Sequence, residues 1–276
     1  MMVADGWLFL LGLLCDGYLL FQFCYRHGKA RADDSSILKI GPKPWGIVEL
    51  IQLTVLLLGL FLLSNSFYLL VAALTHRSMT QLAPLVIFTE LLLRAAVLAG
   101  AVCVLRRQNL RLSTAFGLDA LSPLDTVGWA TVFGLASLPP VQGLVAATDK
   151  LNRLLGWQPS EQPIAKLFTT TDSPWLLLLL VVFAVLVAPV FEEMFFRGFM
   201  YPALKQRFGV WRALSLVSLL FALSHAHLPS LLPLFILALG LGLAYEFTGS
   251  LLVPTGMHAL FNALMVVKLI FDRAHP

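Results

Sequence analysis

Long apolar runs broken by short polar connections dominate this chain, and about 20 apolar residues are enough for a helix to cross a bilayer. The pattern predicts eight membrane helices, at 7–25, 46–74, 83–105, 127–147, 174–196, 210–226, 230–247 and 253–271. Barrel strands are excluded, because they would read as alternating segments of about ten residues. The second segment is longer than a span needs, and Ser64, Asn65 and Ser66 predict a bend within it or its exit from the lipid. Tight turns separate the last three segments, punctuated by Pro229, Gly249 with Ser250, and Pro254. The expected fold is therefore all-α and polytopic, with about eight transmembrane helices. The expected organisation is a set of four N-terminal helices (1–147), an extramembrane loop (148–173) and a C-terminal set of four (174–276).

Composition agrees: 59% of the 276 residues are hydrophobic, 12% are charged and the mean hydropathy is +0.85, which excludes a soluble domain with a polar surface. The net charge of +4 comes without a basic block interleaved with aromatics, so nucleic acid is not an expected partner. Cys15, Cys24 and Cys103 are odd in number and lack a CxxC spacing, so they read as small buried hydrophobes. No Lys or Arg precedes the first apolar run, which argues for a retained helix over Trp7–Tyr25 rather than a cleaved signal. Basic residues gather in 26–44 (Arg26, Lys29, Arg31, Lys39, Lys43), in 106–126 (Arg106, Arg107, Arg111) and after residue 200 (Lys205, Arg207, Arg212). These three stretches fall on one side of an eight-helix arrangement, predicting that side as cytoplasmic. The opposite side holds Arg77 and, in 148–173, a balance of Lys150, Arg153 and Lys166 against Asp149, Glu161 and Asp172.

Charge inside an apolar run changes the picture most. After Trp175–Ala188 the chain reads PVFEEMFFRGFMYP, and a charge at membrane depth costs about 2.5–3.5 kcal/mol on insertion scales. Glu193 and Arg197 have the i, i+4 spacing and order that favour an ion pair, while Glu192 points about 100° away and is left free. Phe221 and His225 share one helical face, as do His258 and Asn262. A carboxylate, two imidazoles and an amide from three helices are the ingredients for activating a water, with general-base and oxyanion-donor roles available. The same residues suit a second arrangement, in which Glu192, His225 and His258 hold a zinc ion with its fourth position open.

Other polar positions read as structural. Glu90 and Arg94 are spaced to pair on the third helix; Asp16, Glu49 and Glu246 are interfacial or bonded to neighbouring helices, and Glu246, beside the TGS turn, reads as a helix-end residue. His227 lies about 200° around a helix from His225, so at most one of them faces a common site. Gly240 and Gly242 read as points of close helix approach. Two rival classes fit the same residues: a non-catalytic immunity or scaffold protein, and a proton-coupled transporter using Glu and His as a relay. The transporter lacks its usual repeat symmetry and interrupted helices.

PVFEEMFFRG, FALSH ending at His225, and TGSLLVPTGMHALFN from Thr248 to Asn262 resemble the motifs EExxxR, FxxxH and HxxxN of the CPBP family. This is the CAAX-protease and bacteriocin-processing family, also called Abi, of intramembrane endopeptidases. The motifs occur in family order over about residues 170–270, and Ala238 stands where the family pattern has glycine. The resemblance implies a helical core around a polar cavity opening toward the cytosol of a bacterial plasma membrane. Glu192 with His225 would activate water, Glu193 with Arg197 would be a supporting pair, and His258 with Asn262 would form the oxyanion site. It leaves metal-free and zinc-dependent mechanisms both open, with metal-free favoured. The implied partners are membrane lipid and a membrane-associated peptide or protein, lipidated or CAAX-like.

Overall fold

The computed structural model describes residues 2–33, 39–76, 81–157 and 163–274, and every regular element among them is helical. In chain order these are α1 (Met2–Asp33), α2 (Ile47–Thr75), α3 (Ala83–Arg107), the short α4 (Leu112–Phe116), α5 (Pro123–Leu154) and α6 (Pro163–Thr170). There follow the long α7 (Pro174–Phe208), α8 (Val210–Ser224), α9 (Leu231–Thr248) and α10 (Leu252–Ala274). α5 and α7 start alike: Ser122 and Ser173 accept the N–H groups of Asp125 and Leu176, and Pro123 and Pro174 occupy first-turn positions where no N–H is needed.

The eight predicted segments all lie on helices, but among the described residues six helices are long and apolar enough to cross a membrane. The first and sixth segments fall on shorter apolar stretches, Gly6–Gln22 and Val210–Ser224. Several boundaries move. α1 reaches Asp33, so much of the supposed loop 26–44 is helical, although the side chains of Arg26, Lys29 and Arg31 lie outside the described part. The connection 148–173 carries the end of α5 and all of α6, while Glu161, like Arg77, is outside the described residues. α2 runs unbroken through Ser64–Ser66, where the Asn65 side chain bonds the Phe61 carbonyl within the same helix. Cys103 is exposed rather than buried, and Cys15 and Cys103 are free thiols.

α5 is the central post of the bundle, with α1 along one flank and α9 and α10 along another. α1 comes so close that a Cβ on Gly12 would sit 2.6 Å from the Leu135 carbonyl oxygen and the Pro139 ring. α7 runs between α10 and the α2–α3 pair, where Phe191 packs with Leu93 and Val97. The Glu90–Arg94 pair expected on α3 forms, and the Arg94 guanidinium also lies 4.7 Å and 5.3 Å from the Phe183 and Phe191 ring centroids of α7. Gly242 allows close approach as expected, since a Cβ there would meet Leu214 of α8 at 2.5 Å.

The irregular segment before α2 is held by the C-terminal half. Lys39 N–H donates to the Glu246 carbonyl, Ile40 N–H to the Glu246 carboxylate, and Trp45 Nε1 to the Phe199 carbonyl. Glu246 lies in the last turn of α9, as expected of a helix-end residue, and is enclosed there. It is 1% exposed and accepts from the Tyr201 hydroxyl and the Lys205 ammonium, while Lys205 also donates to the Ile40 carbonyl and Gln206 reaches the carbonyls of Lys43 and Trp45. Glu49, by contrast, caps α2 by accepting from Gly46 N–H. Burial pushes the Lys43 ammonium below its ordinary pKa, and it donates to the Ala115 carbonyl at the end of α4.

Gly117 ends α4 with φ 63°, where a Cβ would come within 2.0 Å of the Gly249 carbonyl in the turn between α9 and α10. Gly156 is also left-handed, at φ 67°, but has open space around it. Gly117→Ala is expected to lower the thermal unfolding midpoint in detergent sharply. Gly156→Ala should lose only the left-handed backbone preference of about 1–2 kcal/mol. Equal shifts for the two variants would contradict the close α4–turn contact.

Candidate active site

The glutamates sit in the middle of α7, not near its end, because the helix continues to Phe208 instead of stopping near 196. Two stretches of α7 are widened to i→i+5 hydrogen bonding, Phe183–Val187 and Met194–Met200. Each precedes a proline, Pro189 and Pro202. A proline within a helix has no N–H and its ring crowds the carbonyl four residues back, here Val185 and Gly198, each inside a widened turn. Widening moves that carbonyl off the ring, and the α-helical turn between the two bulges, Ala188–Glu193, carries both glutamates.

Glu193 is fully buried and Arg197 1% exposed, and they pair across one turn at 2.9 Å as the spacing predicts. Three further contacts fix this pair. The second Arg197 nitrogen, Nη2, donates to the Ala238 carbonyl of α9 at 2.9 Å; the guanidinium lies 4.7 Å from the Phe221 centroid of α8; and His258 of α10 meets the same Glu193 oxygen through Nδ1 at 2.9 Å. Four helices thus converge on one buried charge pair. Ala238, the departure from the family pattern, contributes through its backbone and is itself fully buried.

Both histidines are held in a defined state. A carboxylate paired with arginine can only accept, so His258 Nδ1 carries the proton and Nε2 is turned toward Glu192 Oε2 at 3.9 Å. His225 follows the last residue of α8, and its Nδ1 donates to the Phe221 carbonyl at 2.8 Å, again leaving Nε2 as the open nitrogen. The Phe221 ring lies between them, 4.9 Å from His225 and 5.7 Å from His258 between centroids. His227 instead bonds Ser230. Glu192 keeps 19% of its side chain exposed, which sets it apart from its locked neighbour.

Asn262 is placed differently from the expectation of an amide aimed only at the reaction site. Its Nδ2 donates to the Ala184 carbonyl, in the first widened turn of α7, at 2.8 Å. Among the described residues Glu192, His225 and His258 are not grouped to hold a metal ion, while the His258 Nδ1 contact with Glu193 is one that leaves Nε2 free to ligate. Phe221 as the aromatic hub and the Ala184 and Ala238 carbonyls as anchors went unrecognised in the sequence. The prolines were the available signal for the first of these carbonyls. Nothing in the sequence marks the second.

Residues 174–264 match the family model described as type II CAAX prenyl endopeptidase Rce1-like, in agreement with the resemblance of the three motifs to the CPBP/CAAX protease family. The matched segment runs from the start of α7 into α10 and contains Glu192, Glu193, Arg197, His225, His258 and Asn262. The chain is also similar to the uncharacterized protein YpbD of Bacillus subtilis (strain 168), 35% identical over 96 residues. That alignment covers 33% of this chain and 47% of the relative, so the chain spans about half the length of the curated relative it matches. No solved structure matches.

Removing one member of a buried ion pair leaves the other charged, unpaired and out of water, which costs about 3–5 kcal/mol. Arg197→Ala is expected to lose stability in that range in denaturant titrations of the detergent-solubilised protein. A surface control, Lys268→Ala, whose pairing with Asp272 is half exposed, should change stability by less than about 1 kcal/mol.

Proposed function

We propose that the chain is an intramembrane endopeptidase that cleaves a peptide bond of a membrane-associated, lipidated or CAAX-like substrate with a water activated by Glu192. The observation that carries this reading is the division of labour between adjacent carboxylates: Glu193 is locked by Arg197 and His258, and Glu192 is left partly open beside His258 Nε2. In the proposed reaction Glu192, assisted by His225 Nε2, takes a proton as the water oxygen bonds the scissile carbonyl carbon. As the C–N bond breaks, that proton passes to the departing amine.

The oxyanion is held by His258. Its Nδ1 proton is already donated to Glu193, so donation from Nε2 requires the imidazolium, whose charge is offset by Glu193 and, once Glu192 has taken the water's proton, by the oxyanion itself. Asn262 has one amide hydrogen committed to Ala184 and only the second open to the oxyanion. The reaction is metal-free in this reading, supported by Glu192, His225 and His258 not being grouped as a ligand set among the described residues. The same reading places the protein in a bacterial plasma membrane with the site opening to the cytoplasm, supported by the basic stretches of the sequence.

Purified protein in detergent should cut members of a panel of prenylated and membrane-anchored reporter peptides, with and without a chelator. Glu192→Ala should abolish cleavage while keeping wild-type thermal stability, because Glu192 is not part of the buried pair. Loss of wild-type activity on chelation, restored by zinc, would replace the metal-free mechanism. Unimpaired function of Glu192→Ala in cells would favour a scaffold or immunity role.

A further inference from the structure

In each widened turn of α7 one backbone carbonyl would have a proline as its donor in that register: Ala184 before Pro189, and Arg197 before Pro202. In the first widened turn Ala188 N–H reaches back to the Phe183 carbonyl, five residues away. The next carbonyl, that of Ala184, would be served in the same register by the amide of residue 189, and residue 189 is proline. A backbone acceptor in an apolar span has no water to turn to, so a side-chain donor at this vacancy is stabilising. The Asn262 amide fills it, donating at 2.8 Å from the neighbouring helix α10.

We propose that Asn262 is a positioning residue: its side-chain amide substitutes for the N–H that Pro189 lacks, and so fixes the widened turn that sets the direction in which Glu192 leaves α7. The geometry explains why direction is at stake. One extra residue in a helical turn rotates everything beyond it by roughly 100° relative to an unbroken α-helix. Glu192 and Glu193 lie beyond this turn, and their assignment to the open and locked positions depends on that rotation. The bond is also close to the site in sequence, since His258 is one turn before Asn262 on α10 and anchors Glu193 directly. α10 thus grips α7 at two successive levels, one at the carboxylate and one at the backbone.

This role rests on the protease reading for its effect on cleavage, but the hydrogen-bond substitution does not, and the test separates the two. Asn262→Ala, Pro189→Ala and the double variant are compared in thermal stability and in reporter cleavage, with kcat and KM determined separately. Asn262→Ala is expected to lower the unfolding midpoint and to reduce kcat by about tenfold or more, with KM little changed. Pro189→Ala supplies an N–H at residue 189 that can reach Ala184, so the double variant should regain most of the stability lost in Asn262→Ala; without the proline ring the turn is no longer held wide, so both Pro189→Ala and the double variant should keep a reduced kcat. Wild-type kcat in Pro189→Ala would overturn the proposal, because Glu192 would then not depend on the widened turn, and strictly additive losses of stability would overturn it as well. If the wild type cuts no reporter, recovery of stability in the double variant still supports the substitution, and the protease reading is what fails.

Discussion

A single buried charge pair organises the C-terminal half. Arg197 cannot sit among apolar helices without Glu193, and the pair is held by an aromatic face of α8, a carbonyl of α9 and an imidazole of α10, with Glu193 Oε2 and Arg197 Nε left without hydrogen-bond partners. Removing either charge breaks an arrangement that joins four helices, whereas adding apolar bulk elsewhere would touch only local packing. Glu192 gains its chemistry from this lock by being the carboxylate left outside it. The neighbouring histidine is oriented by the same lock, so structure and reactivity share one set of contacts.

The two prolines of α7 show how a backbone defect serves a site. An uninterrupted α-helix would carry its glutamates on a face fixed by the sequence spacing alone. Pro189 and Pro202 impose widened turns on either side of them, and the cost of each missing N–H has to be met by the surroundings. In the first turn Asn262 meets it. Such a helix is harder to build than a regular one and better defined once built, because its register is pinned from outside.

Much of this was legible in the sequence, and the failures have physical reasons. Apolar runs located every major helix, since bilayer thickness fixes their length. The Glu193–Arg197 and Glu90–Arg94 pairs followed from helical periodicity. Helix ends were less legible: α1 and α7 continue past the polar residues that follow 25 and 196, and the glycines just beyond, Gly28 and Gly198, stay within the helices instead of ending them. The tertiary partners of Arg197, the Ala238 carbonyl and the Phe221 face, could not be read because neither a backbone acceptor nor an aromatic in an apolar run carries a distinctive sequence mark. Glu246 was legible as a helix-end residue, but not its burial, because the lysine and tyrosine of α7 and the irregular stretch near residue 40 that enclose it are distant in sequence.

That enclosure has a bearing on how the chain is made. Residues 39–45 leave the ribosome long before residues 199–206 and 246, to which their backbone groups and the Trp45 indole are bonded. Until those later residues arrive the early segment must stay hydrated at the membrane surface, and α1 and α2 on either side of it can insert without being fixed relative to each other. The matching family segment begins only at 174, yet it completes its fold on a length of chain synthesised well before it. Closure of this segment onto Glu246 is thus a late step in assembly, and it ties the earliest helices to the last turns of the newest ones.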